Sequence, residues 1–258
     1  MKIKAFKFKY ELLLCIFLLI LFRANWFIEL VLFQVIGIDY DSITANITVI
    51  ILHAVIFTVV IGIGLHDQKK SLTDVCYNKK VSPAVWCAAL LCSIGFVMLH
   101  FYLNNLFYLV FKNWLVFPDV DELGNFNIIF VIINSALIPA IAEEILFKGV
   151  IFSGLEKKYS RWIAVMIASL LFAAAHLNLV RMVPLFLFSF CTFWLYLRTG
   201  SLLLPILIHF INNLFATVLI SEPFYSPETF LASQIIFWAG FYFLQRLTSQ
   251  KQIPGDKR

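Results

Sequence analysis

The sequence predicts an all-α fold: a polytopic membrane helix bundle of about eight transmembrane helices, with both termini cytoplasmic. Three observations carry this. The 258 residues are 62% hydrophobic and only 14% charged, with a mean hydropathy of +0.91. That leaves too little polar surface to cover a soluble domain of this size. Several windows also exceed the roughly 20 apolar residues that cross a bilayer. Finally, most of the 20 Lys and Arg residues fall in alternate connections, while the other connections are acidic or nearly neutral.

Taken in order, the expected spans are 11–36, 45–65, 83–110, 128–156, 162–180, 182–198, 201–220 and 229–246. The first follows the basic start MKIKAFKFK and has the look of a signal peptide. Its apolar character resumes after Arg23 and Asn25, however, and the charge alternation needs it, so an uncleaved helix is expected. Basic residues gather in the N-terminal tail, the 66–82 loop, the 148–161 region, Arg198 and the C-terminal tail. Acidic ones mark the opposite side: Asp39 and Asp41; Asp119, Asp121 and Glu122; Glu222 and Glu228. The net charge of +5 is therefore topology under the positive-inside rule, and no nucleic-acid partner is expected. The acidic 111–127 stretch, with its Pro and Gly, reads as a surface connection.

No repeat or low-complexity tract divides the chain, so residues 1–258 read as a single transmembrane domain. The five cysteines have no paired spacing and mostly lie in apolar segments, where thiols act as small hydrophobes. Neither a disulfide nor a cysteine metal site is expected. In the N-terminal half, Arg23, Asn25, His53, His100, Asn104 and Asn105 are scattered polar residues within spans. They share no spacing, and snorkelling or interhelical hydrogen bonding accounts for them.

Three constellations distinguish the later half. In PAIAEEILFKG, Glu143 and Glu144 follow the uncharged run NIIFVIINSALIPAIA. Glu144 and Lys148 are i, i+4 and can pair on one helix face, whereas Glu143 is turned about 100° away. A solvated ion pair at a helix end is the bland reading. Yet VIFSGL continues the apolar pattern, and a helix begun at Ile128 puts Glu143 about 20–25 Å along, near mid-span. Carboxylates at that depth are costly and by default functional.

The second constellation is FAAAH, where Phe172 and His176 share a face and the alanines admit a close neighbour. A lone His in a span is more often an interhelical hydrogen bonder than a catalyst. The third is HFINN, with His209 and Asn213 at i, i+4 and Asn212 turned away as a packing polar group.

Two carboxylates, two imidazoles and a carboxamide on three helices at similar depth would be costly unless they share a polar cavity. Such a set suits hydrolysis. Glu143 with His176 can hold and deprotonate water, and His209 with Asn213 can donate to the oxyanion of a tetrahedral intermediate. No Ser or Cys stands beside a base in comparable fashion, which argues against an acyl-enzyme. Two His and two Glu also make a zinc set.

The motifs EExxxK, FxxxH and HxxxN, in this order, resemble those of the CPBP intramembrane proteases, a family of CAAX prenyl endopeptidases and bacteriocin-processing or immunity (Abi) proteins. The flanks EEILFKGVIFSGL and GSLLLPILIHFINN are similar as well, and the resemblance covers a core of about residues 125–220. It implies an endopeptidase acting on a membrane-associated, prenylated or other peptide substrate in the bilayer, multi-pass in the plasma membrane of a prokaryote. Glu143 would activate water, His176 would position it, and His209 and Asn213 would form the oxyanion site. Glu144, Lys148 and Phe172 would support them. The family pattern has Arg where Lys148 stands; Lys keeps the charge but lacks the planar bidentate fork. The cofactor stays open between zinc on Glu143, His176 and His209 and a metal-independent, glutamate-activated water.

Two other function classes compete with hydrolysis. One is a catalytically silent membrane scaffold or bacteriocin immunity protein, against which the intact Glu143, His176, His209 and Asn213 argue. The other is a transporter relaying protons through midplane groups, which predicts matching features in both halves; here all the signal lies in one.

Overall fold

The computed structural model describes residues 42–75, 80–111, 128–179, 181–218 and 226–249, with a few positions between 16 and 37. All regular elements among them are helical: α1 (Ile43–Gln68), α2 (Pro83–Phe111), α3 (Ile128–Leu155), α4 (Arg161–Ala175), α5 (Met182–Thr199), α6 (Leu203–Val218) and α7 (Pro227–Ser249), with a single turn at Leu72–Val75. They match the second to eighth expected spans closely. Most of the first span and the 111–127 connection lie outside the described residues. Four described helices are long and apolar enough to cross a membrane: α1, α2 over Pro83–Phe107, α3 and α5. The helices α4 and α6 are apolar but shorter.

The described residues fall into two compact units, each assembled from two distant stretches of chain. One comprises Met1–Cys76 and Asp119–Ala168, the other Tyr77–Pro118 and Ser169–Arg258.

In the first unit, α1 opens on Ser42, whose side chain accepts from the Ala45 amide, and closes at Lys69 in the left-handed conformation. Gly64 on α1 lets α3 approach closely, because a Cβ there would collide with the Val150 side chain. Gly149 does the same for the Leu72–Val75 turn, since a Cβ would run into Val75. That turn is held by a reciprocal box: the Ser71 amide and hydroxyl donate to Asp74, and the Asp74 amide donates to the Ser71 hydroxyl. The two Ser71 bonds, hydroxyl first, hold the exposed Asp74 carboxyl below the usual carboxylate range.

The helix α3 is not a regular α-helix. Residues Ile132–Leu137 and Ile145–Phe152 are π-helical, with α-helical turns before, between and after them. The first π stretch has a local cause. Pro139 has no N–H and its ring would strike the carbonyl four residues back in an α-helix. The wider turn just ahead of it relieves that, and Ile138 donates to Ile133 five residues back. In the second π stretch every residue from Ile145 to Phe152 is buried, as expected for a helix apolar on all sides apart from Lys148.

Gln68 secures this stretch from outside. Its Nε2 donates to the Val150 carbonyl at 2.5 Å, and its Oε1 accepts from the Ser153 hydroxyl at 2.8 Å. Gln68→Leu should therefore lower stability by about 1–2 kcal/mol, the cost of a lost side-chain bond at a part-buried carbonyl. Thermal unfolding in matched detergent would measure it, and an unchanged melting temperature would remove Gln68 from this role.

In the second unit α7 lies along α2 at backbone contact. A Cβ on Gly95 would overlap the Phe237 backbone, and one on Gly240 would overlap that of Cys92. Phe96 bridges inward, with its ring 5.9 Å from both Phe188 and Phe237.

Candidate functional site

On α3, Glu143 and Glu144 end the α-helical segment Ile138–Glu144, and Lys148 sits four residues on in the second π stretch. All three are buried, with Glu144 and Lys148 each 1% exposed and Glu143 6% exposed. Lys148 Nζ forms an ion pair with Glu144 Oε2. The solvated helix-end reading of this pair does not hold, because Leu146, Phe147, Val150 and Ile151 around it are buried too. Removing two charges from water is costly unless they compensate each other closely, so this is a pair that must stay intact.

The chain places His176 differently from the expected 162–180 helix. The helix α4 stops at Ala175, and His176 and Leu177 donate three residues back, to Ala173 and Ala174. Leu177 is left-handed at φ 52°, and Asn178 Oδ1 accepts from the Arg181 amide. That Asn-centred turn ends the helix where apolarity alone would continue it. The FxxxH spacing still works. His176 Nδ1–H donates to the Phe172 carbonyl at 2.8 Å, which leaves Nε2 of the neutral ring as the acceptor.

In the second unit, Phe172 touches both motif imidazoles. Its ring lies 4.9 Å from that of His176 and 5.7 Å, edge-on, from that of His209. Phe188 flanks His209 from another side at 5.2 Å, also edge-on. His209 is 2% exposed and thus held by aromatic edges in a fixed orientation. Asn213, one turn on along α6, accepts from Asn212 Nδ2 at 3.5 Å. Asn212 is buried and bonded through its Oδ1 to His100 on α2 at 2.8 Å. The sequence reads Asn212 as a packing polar group and His100 as a snorkelling or interhelical hydrogen-bonding residue, and the bond between them is of that second kind.

The seven motif residues thus form two groups. Glu143, Glu144 and Lys148 belong to the first unit, and Phe172, His176, His209 and Asn213 to the second. The zinc set that the sequence offers, Glu143, His176 and His209, is divided in the same way. Within either unit, among the described residues, no three His, Cys, Asp or Glu side chains gather as ligands for one ion.

Comparison with known proteins finds similarity in the part of the chain that carries these motifs. Residues 125–215 match the family described as type II CAAX prenyl endopeptidase Rce1-like. A stretch of 92 residues is 33% identical to the protein named "Putative membrane peptidase YdiL" of Bacillus subtilis (strain 168), covering 36% of this chain and 38% of that one. A stretch of 88 residues is 34% identical to an "Uncharacterized 24.3 kDa protein" of Escherichia coli, covering 32% of this chain and 41% of that one. The chain thus spans about two fifths of the length of the curated relatives it matches. No solved structure matches it at a significant level. The matched residues 125–215 take in all three motifs, EExxxK, FxxxH and HxxxN.

Proposed function

We propose that this protein is an intramembrane endopeptidase that cleaves a peptide bond of a membrane-associated substrate with a glutamate-activated water. The observation that supports it most is the burial of Glu143 beside the Glu144–Lys148 pair in a helix that is otherwise apolar, within the matched region. Glu143 takes a proton from water, and the resulting hydroxide oxygen bonds to the scissile carbonyl carbon. His176 Nε2 accepts the water's other hydrogen and orients it. The carbonyl oxygen, now an oxyanion, receives hydrogen bonds from Asn213 Nδ2–H and from His209. When the C–N bond breaks, the proton on Glu143 passes to the leaving amine. Glu144 and Lys148 keep α3 in the register that aims Glu143, and Phe172 fixes both imidazoles. This chemistry requires Glu143 to reach the two imidazoles, with the substrate entering from the cytoplasmic half of the bilayer.

Zinc, if bound, would use Glu143, His176 and His209 and supply a water of lowered pKa. The expected result is full turnover without it. Purified protein is assayed with a quenched-fluorescent peptide ending in a farnesylated Cys and three further residues, beside its unprenylated counterpart. Metal analysis and turnover after chelation are read on the same sample. Loss of turnover on chelation, restored by zinc alone, would replace the metal-independent route. Cleavage of neither peptide by wild type would remove peptides of this C-terminal form as its substrates. Cleavage by wild type and Glu143→Ala alike would remove the glutamate mechanism.

A further inference from the structure

We infer that His100, on α2 and outside the matched region, is a positioning residue that sets the orientation of the Asn213 amide through Asn212. The inference rests on the proposed role of Asn213 as an oxyanion donor.

The geometry has one direction. Asn212 turns its Oδ1 to His100, so the imidazole Nδ1–H donates, at 2.8 Å. The other end of the Asn212 amide, Nδ2, then donates to Asn213 Oδ1 at 3.5 Å. The first step is a short bond and the second a long one, and together they favour one orientation of each amide. With its oxygen engaged by Asn212, Asn213 must present its Nδ2 hydrogens on the opposite side of the amide. A carboxamide rotated by 180° exchanges a donor for an acceptor at the same spot. In the wrong orientation Asn213 would aim lone pairs at a developing oxyanion and oppose the reaction it should assist.

Two further observations separate His100 from a residue that only joins helices. It is 5% exposed, and its Nε2 is buried with no hydrogen-bond partner among the described residues. A buried half-satisfied imidazole costs more than an apolar side chain of like size, so packing alone gives no reason for it. Its ring also stacks on Phe188 (5.9 Å, 23° between planes), and Phe188 meets His209 edge-on. His100 therefore backs both members of the HxxxN pair, Asn213 through Asn212 and His209 through Phe188. In the first unit, His53 Nδ1 and Asn134 Oδ1 are paired in the same way at 2.6 Å.

The test uses full-length protein and the farnesylated quenched peptide. His100→Leu should lower kcat about tenfold with KM changed less than about twofold, since an oxyanion donor acts on the transition state. His100→Asn should regain most of the loss, because Asn Nδ2 stands where the His Nδ1 donor stands. In an Asn213→Ala background, His100→Leu should cost much less, because the route through Asn212 is cut and only the Phe188 contact remains. A second reading needs no turnover. The side-chain amide resonances of Asn213, identified by their loss in Asn213→Ala, should move in His100→Leu and return in His100→Asn. Equal kcat losses in both backgrounds, or Asn213 resonances unmoved by His100→Leu, would overturn the inference and leave the protease reading intact. Full kcat in Asn213→Ala would overturn the oxyanion assignment, and this inference with it.

Discussion

Glu143→Gln should abolish measurable turnover while leaving the protein at least as stable as wild type. The substitution keeps shape and volume but replaces a proton acceptor with an amide that cannot take a proton from water. General-base catalysis is worth about 10²–10⁴-fold, so the loss should be at least that large. Stability moves the other way. Glu143 is only 6% exposed, and burying a neutral amide costs less than burying a carboxylate. The expected signature is a flat or raised melting temperature with turnover gone, the trade-off of a site kept for chemistry. A melting temperature that falls along with activity would mean Glu143 holds the fold rather than the water.

Lys148→Met should have the largest effect on stability, about 3–5 kcal/mol, because it leaves Glu144 buried and unpaired. Met fills most of the lysine volume, so a cavity is not the cause. Adding Glu144→Gln should recover most of the loss, since the amide needs no counter-charge. That rescue separates a charge effect from a packing effect. Lys148→Arg should preserve or raise turnover, since Arg offers a bidentate fork to the same carboxylate. The measurement is thermal unfolding and turnover of the four proteins in matched membranes, corrected for protein level. A Lys148→Met protein as stable as wild type would show the pair is not needed to hold α3.

Helix positions were legible because apolar length sets them. Spans two to eight were placed within a few residues, apart from the end of the fifth at Ala175 rather than 180. There the deciding signal was short: a left-handed Leu177 and an Asn178 turn inside a stretch whose composition says helix. The π stretches of α3 were not legible, because an i→i+5 ladder leaves no hydrophobic period of its own; only Pro139 hinted at the first. For the candidate site, the residues of each motif could be read from local spacing. Glu144 with Lys148 and Phe172 with His176 meet as four-residue spacing implies. His100 and Gln68 could not be read that way. Interhelical bonding was the right expectation for His100, but its partner Asn212 lies on another helix far along the chain, and no spacing in the sequence links them. No spacing marks Gln68 either, and only the packing of α1 on α3 turns it toward Val150.

The central claim is that Glu143 does chemistry on a membrane-associated peptide. Its most direct test is a quantitative comparison of membrane proteins and their terminal peptides in cells carrying wild type or Glu143→Ala at equal protein level. Hydrolysis predicts at least one precursor that accumulates uncut in Glu143→Ala, with the matching cleaved terminus present only in wild type. Identical termini in both strains, with the variant folded and inserted, would contradict the claim and favour a silent membrane scaffold.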